Sequence, residues 1–226
     1  MAKLYFRYAV MNAGKSTQLL QIAHDYEANN GLRALVLKPA MDTKEGPYVI
    51  SRLENGQIRR QSDFLIDTAE EEGWLYERIA QELQRNPAAI VLIDEAQFLG
   101  RANVWDLCRV VTYLDLPVIC FGLKVDAFGN PFEGSSVLFA LAQDIEEVTT
   151  RAICQLTPNR ARKATIHLRL VDGQPVFTGE QVAIDNRTEI RYLPVCLQEY
   201  IRLRDARAAM EPQAPPRNGT LDKSRQ

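Results

Sequence analysis

The chain has 226 residues, 46% hydrophobic and 25% charged, the balance of an ordinary globular protein. A formal net charge of −2 leaves no basic stripe for a nucleic-acid footprint. Its apolar runs, such as AAIVLI at 88–93, fall far short of the roughly 20 residues that span a bilayer. Neither nucleic acid nor membrane is expected as a partner. The N-terminal MAKLYFRYAV lacks the apolar run and small-residue cleavage site of a signal peptide, so a cytoplasmic location is expected. Cys108, Cys120, Cys154 and Cys196 are too few for a disulfide scaffold and should be free thiols or metal ligands in a reducing compartment. The first two sit in apolar surroundings and are expected in the core.

In chain order, LYFRYAV (4–10) reads as a strand rich in aromatic and β-branched residues. Leu19, Ile22, Ala23 and Tyr26 keep helical spacing, and Asn29-Asn30-Gly31 supplies a stop. LRALVLKP (32–39) is a second strand. The polar segment 40–60, with Gly46-Pro47 and Asn55-Gly56, reads as a loop or hairpin. Asp67 and Thr68 offer a cap for a helix through about Asn86, with Trp74, Leu75, Ile79 and Leu83 on its apolar face. AAIVLIDEA (88–96) is a buried strand ending in two acids. A helix through Val104, Leu107, Cys108 and Val111 and a strand PVICFGL (117–123) follow. Nearly continuous apolar strands alternating with helices predict an α/β domain over residues 1–150, a parallel sheet flanked by helices.

The pattern changes after Arg151. Segments 162–171, 174–184 and 190–195 look like short strands joined by polar turns, a small β-rich unit over 151–205. A helical piece follows, and the Pro-rich polar end, 206–226, is expected to be a disordered tail.

Two motifs carry chemistry. AVMNAGKST, between a strand and a helix, matches GxxxxGK[ST] except that Ala9 stands where the first glycine belongs. In a phosphate loop, the backbone of Ala9, Val10, Met11, Asn12, Ala13 and Gly14 wraps the phosphates, Lys15 reaches the β- and γ-phosphates, and Ser16 and Thr17 open the helix. Ser16 would also ligate Mg²⁺. In IVLIDEAQF, four apolar residues lead into Asp94-Glu95, the form of a Walker-B strand. Two adjacent acids repel unless a cation or proton intervenes. Mg²⁺ held by Ser16 and Asp94 would leave Glu95 free to accept a proton. Together the motifs predict a P-loop NTPase-type fold that uses ATP and Mg²⁺.

The wording around them is more specific. MNAGKST, KPAMD (38–42), Ser51-Arg52, DEAQF (94–98), PVICFGL, FEGS (132–135), RKAT (162–165), GEQV (179–182) and RYLPVC (191–196) occur in order. Over nearly residues 1–200 the chain resembles the small, lasso-containing type II thymidine kinases. That family tolerates a small residue at the first loop position. The resemblance implies transfer of the ATP γ-phosphate to the thymidine 5′-hydroxyl, with Lys15 neutralising charge, Glu95 as base and Arg52 near the transferring phosphate. It implies a nucleoside site drawn from Glu95, Gln97, Phe98, Tyr192 and the lasso, roughly Gly173 to Tyr192, whose Val182 and Ile184 would approach the base. The family's usual phenylalanine falls at Ala127, so Phe128 or Phe132 fills its place. A homotetramer and feedback by the thymidine triphosphate are likewise implied.

The family's small-domain zinc has four ligands in two close pairs. Here Cys154 is followed by Leu156 and Thr157, and Cys196 is followed three residues on by Glu199. His24 and His167 are not at ligand positions. Two thiolates and a carboxylate make a poor zinc cage, so no tightly bound zinc is expected. The lost ligands and the Asp185-Asn186-Arg187-Thr188 insertion leave a second reading open, a divergent paralogue that binds ATP but has altered or lost nucleoside specificity. A P-loop ATPase acting on a macromolecule would need coupling motifs that the sequence lacks.

Overall fold

The computed structural model describes residues 1–42, 46–53, 56–148, 152–157, 161–181 and 189–210. Its centre is a sheet of six strands, β1 (Leu4–Tyr8), β2 (Ala34–Pro39), β5 (Phe64–Ile66), β6 (Ile90–Ile93), β7 (Val118–Gly122) and β8 (Asp144–Glu147). They run in the order β5-β2-β6-β7-β1-β8, and every neighbouring pair is parallel. Every residue of β2, β6 and β7 is buried, which is why these segments read as apolar runs, broken only by Lys38 in β2.

Strand alternation divides the core in two. Leu35, Leu37, Val91 and Ile93 face one side, packing with α2 (Trp74–Arg85), α3 (Arg101–Tyr113) and α4 (Glu133–Leu141). Ala34, Val36, Ile90 and Leu92 face the other, against Leu19, Leu20 and Ala23 of α1 (Lys15–His24). Segment 40–60 contains a hairpin, β3 (Tyr48–Leu53) with β4 (Gly56–Gln61), whose base is held by the buried Lys38. The Lys38 ammonium donates to the Gly46 and Tyr48 carbonyls and pairs with Asp42 at 2.7 Å.

The helix expected from Asp67 begins instead at Trp74. Asp67 Oδ1 accepts the Ala69 N–H in a local turn, and the cap arrives from α3. The fully buried Asp106 takes the N–H groups of Gly73, Leu75 and Tyr76. A cap delivered from more than 30 residues away leaves no local signal. Strands β5 and β8 and helix α4 were not expected either. β5 is only three residues long, and β8 reads DIEE because it lies at an exposed edge.

A second, antiparallel sheet has the order β10-β9-β11, with β9 at Ile166–Val171, β10 at Gln174–Val176 and β11 at Ile190–Val195. It shares a core of Cys154, Ile166, Leu168, Val195, Cys196 and Tyr200 with α5 (Leu197–Met210). β11 has the expected span, β9 starts four residues later than expected, β10 stops at Val176, and α5 continues past residue 206, where the tail was expected to begin. The Tyr200 hydroxyl donates to the Ala127 carbonyl at 3.0 Å, joining α5 to the larger sheet's loops. Among the described residues, no helix is long and apolar enough to cross a membrane.

Candidate active site

β1 and β6 are separated by β7, and both end at the same edge of the sheet. Open parallel sheets bind ligands there. The loop leaving β1 is tied back residue by residue. The Ala9 N–H donates to the Gly122 carbonyl at 3.2 Å, and the Lys15 ammonium donates to the Val10 carbonyl at 2.9 Å. Asn12 (φ 58) and Gly14 (φ 79) take left-handed conformations, the second forming the N-terminal boundary of α1. Ala9 is not among the positive-φ residues, so its backbone needs no glycine. It is 5% exposed, packed with Val10 and Ala13, and there a small side chain fits.

Lys15, buried under the loop, has its pKa lowered by desolvation, against the pull of the Glu95 and Asp94 charges. Ser16 Oγ donates to Asp94 Oδ2 at 2.9 Å. Asp94 Oδ1 is buried and has no hydrogen-bond partner. Burial, then repulsion from Glu95, raises the Asp94 pKa to about 7, while the Ser16 hydroxyl and Lys15 work the other way. A buried carboxylate oxygen without a partner beside a serine hydroxyl fits a hard cation. Among the described residues, no three His, Cys, Asp or Glu side chains form a metal cage. One carboxylate and one hydroxyl suit Mg²⁺, which completes its shell with phosphate oxygens and water.

Glu95 sits at φ 51, ψ 37, a left-handed conformation costly for a non-glycine residue. Its carboxylate is fixed by Gln97, whose Nε2 donates to Glu95 Oε2 at 2.5 Å and whose Oε1 accepts the Leu123 N–H at 3.0 Å. The buried Gln97 therefore ties Glu95 to the end of β7. Two glycines let this turn pack so closely. A Cβ on Gly122 would meet the Gln97 N and Oε1 at 3.0 Å, and one on Gly134 would meet the Ala96 and Leu99 carbonyls at 2.6 Å. The FEGS element supports the site from behind, with Glu133 accepting the Arg101 N–H and Ser135 Oγ donating to the Leu123 carbonyl at 2.5 Å.

Ser51 lies against the loop helix, its Oγ 2.7 Å from Thr17 Oγ1, which brings the Arg52 backbone to the site's flank. Phe98 packs edge-on against Phe132, with centroids 5.7 Å apart. Phe128 and Tyr192 are drawn to a different partner. The Arg169 guanidinium lies 4.6 Å from the Phe128 ring centroid and 5.3 Å from that of Tyr192. It also donates to the Glu180 and Gln181 carbonyls at 2.9 and 3.1 Å, anchoring that part of the lasso segment. Val182 and Ile184 lie outside the described residues, as does the 185–188 insertion.

Cys154 and Cys196 are brought together. Burial raises the Cys154 pKa, but the polar groups around it, Thr157, the Cys196 and Leu156 backbone and the Cys196 thiol, outweigh that and bring the value to about 7. Glu199 is paired with Arg202 at 2.9 Å. His167, which the motif reading set aside, touches the phosphate loop itself: its Nε2 accepts the Met11 N–H at 2.6 Å. Arg169 and His167 belong to the site's surroundings without any sequence motif to mark them. Their only signal is two polar residues on alternate positions of an otherwise apolar strand.

A family model described as thymidine kinase matches residues 2–200. The chain belongs to the thymidine kinase family. A thymidine kinase of Streptococcus gordonii is 42% identical over 203 residues, 89% of this chain and 97% of its own length. Thymidine kinases of Streptococcus pyogenes serotype M3 and Streptococcus agalactiae serotype Ia are each 40% identical over 200 residues, covering 88% of this chain and 97% of theirs. Membership of the thymidine kinase family makes the chain a kinase, a transferase of phosphoryl groups. The parallel sheet flanked by helices, with its added antiparallel sheets, is the fold expected of that family.

Proposed function

We propose that this protein transfers the γ-phosphate of ATP to the 5′-hydroxyl of thymidine, giving dTMP in pyrimidine deoxynucleotide salvage, with deoxyuridine as a second acceptor. The observation that carries the reading is the unpartnered Asp94 Oδ1 beside Ser16, one residue from a Glu95 held in a strained conformation by Gln97. Backbone strain at a carboxylate beside the proposed metal site supports a catalytic task.

In this reading the backbone of residues 9–14 cradles the phosphates, and Lys15 exchanges the Val10 carbonyl for phosphate oxygen. Ser16 and Asp94 would hold Mg²⁺, which neutralises charge on the phosphate oxygens when bound. Glu95 accepts the 5′-hydroxyl proton as the oxygen attacks phosphorus and ADP leaves, while Gln97 keeps that carboxylate aimed. Arg52 contacts the transferring phosphate. Phe98 and Phe132 form an aromatic wall for the base, and the lasso segment with Val182, Ile184 and Tyr192 closes over it. Arg169 supports that closure by holding the Glu180 and Gln181 carbonyls. The small sheet is held by packing and by the Cys154–Cys196 contact rather than by zinc. A cytoplasmic homotetramer is the accompanying assembly.

Purified protein incubated with Mg-ATP and a panel of nucleosides tests this directly. Formation of dTMP from thymidine, and less readily of dUMP from deoxyuridine, is expected. ATP binding with no monophosphate from either nucleoside would favour the divergent-paralogue reading instead.

A further inference from the structure

His167 is buried and lies on β9, in the small antiparallel sheet, yet its hydrogen-bond partner is the backbone of the phosphate loop 156 residues away. The strand's alternation explains how it arrives there. Ile166 and Leu168 enter the small sheet's own core with Cys154, Val195 and Cys196, while His167 and Arg169 occupy the opposite face. From that face His167 lines a cleft with Tyr8 at the end of β1 and Ala9 and Val10 of the loop that follows.

Three consecutive loop residues each have one backbone group tied down. Ala9 is tied to the Gly122 carbonyl, Val10 to the Lys15 ammonium and Met11 to His167. The first two ties come from the P-loop's own sheet and helix. The third comes from the sheet that carries the lasso. Met11 directly precedes Asn12, where the loop turns left-handed. An imidazole nitrogen accepts a hydrogen bond only when it is unprotonated, so the His167 proton resides on Nδ1. Burial and the neighbouring Lys15 ammonium keep the ring in that neutral form.

We infer that His167 is a positioning residue for the phosphate loop, a neutral acceptor through which the small sheet sets the loop's entry geometry for ATP. It touches no reacting atom and acts through the Met11 amide. The inference rests on the phosphate-loop reading of Ala9 to Thr17. It predicts that an interaction located in the nucleoside-closing sheet is felt in the handling of ATP, because small misplacements of a phosphate cradle are costly to transfer.

The test compares two variants of the full chain. His167→Gln retains an acceptor of similar reach, whereas His167→Leu retains apolar volume and removes the acceptor. Steady-state kinetics should show His167→Leu losing about tenfold or more in kcat/KM for ATP, with the thymidine KM changed less than about twofold, and His167→Gln recovering most of that loss. A purely structural role would move both KM values together with the thermal midpoint. His167→Phe, planar and without an acceptor, replaces the Leu variant if that one does not fold. Equal activity of wild type and His167→Leu, or a His167→Gln no better than His167→Leu, overturns the inference. A wild-type protein without ATP-dependent thymidine phosphorylation would instead overturn the underlying functional reading, and Lys15→Met, expected to lose ATP binding, separates the two.

Discussion

Ser16 Oγ donates to Asp94 Oδ2 at 2.9 Å, joining the first turn of α1 to the end of β6 across the intervening β7. Seventy-eight residues of chain separate them, and neither sheet order nor loop alone would make them neighbours. The contact leaves Asp94 Oδ1 buried and without a partner, the feature from which the proposed Mg²⁺ site follows. Asp94→Asn should therefore reduce kcat by roughly a hundredfold or more, since an amide is a weak ligand for a hard cation and carries no charge. Activity measured across a Mg²⁺ titration checks this; full activity at ordinary Mg²⁺ would remove Asp94 from the site.

Glu95 combines a proposed catalytic role with backbone strain, so function and stability should part company there. Glu95→Gly relieves the φ 51 conformation and should leave the fold unchanged or about 1 kcal/mol more stable, with transfer abolished. Thermal unfolding beside a kinase assay reads both quantities. A clearly destabilised variant would show that the Glu95 side chain contributes to the fold after all.

Gln97 holds Glu95 with one end of its amide and the Leu123 N–H with the other. Gln97→Leu should lower kcat about tenfold or more while leaving the ATP KM nearly unchanged, because the phosphate cradle is not touched. It should also cost about 1–3 kcal/mol, the usual penalty for leaving a buried N–H unpaired. Kinetics with a denaturant titration would show both; a raised ATP KM with normal kcat would contradict the assigned role.

His167 gives a pH signature. Its pKa is lowered to about 4 by burial and by the Lys15 charge, against an ordinary value of 6.5. Lys124 and Glu147 also line its cleft. Above pH 6.5 both folded and unfolded chains carry it neutral. As pH falls from about 6.5 to about 4, the unfolded chain takes up a proton that the folded chain excludes, so stability declines by up to about 3 kcal/mol. Denaturant midpoints across this range should fall for the wild type and more gently for His167→Gln. Parallel curves would place the acid sensitivity elsewhere.

Much of this architecture was legible because the large sheet is buried on both faces. The strands at 90–93 and 118–122 are apolar throughout, that at 34–39 is apolar but for the buried Lys38, and the helices at 74–85 and 101–113 keep a regular apolar stripe. What escaped notice depended on distant partners. Asp106 caps α2 from another helix, and DIEE forms β8 only because β1 offers it an edge. At the site, the loop and acid-pair motifs identified Lys15, Ser16, Asp94 and Glu95 because local sequence builds each. Phe128 and Tyr192, expected at the base, meet around Arg169, whose position follows from strand register rather than from any motif. Ala9, the apparent defect of the loop, is explained by a backbone that never needed positive φ at that residue.

The most direct measurement follows label from [γ-³²P]ATP in a single turnover with thymidine and Mg²⁺, using wild type, Lys15→Met and Glu95→Gln. Labelled dTMP should form with the wild type alone, while Glu95→Gln still binds ATP and Lys15→Met does not. Label in inorganic phosphate without dependence on thymidine, or labelled dTMP at the wild-type rate from Glu95→Gln, would contradict the assignment of this site as the phosphoryl-transfer centre of a nucleoside kinase.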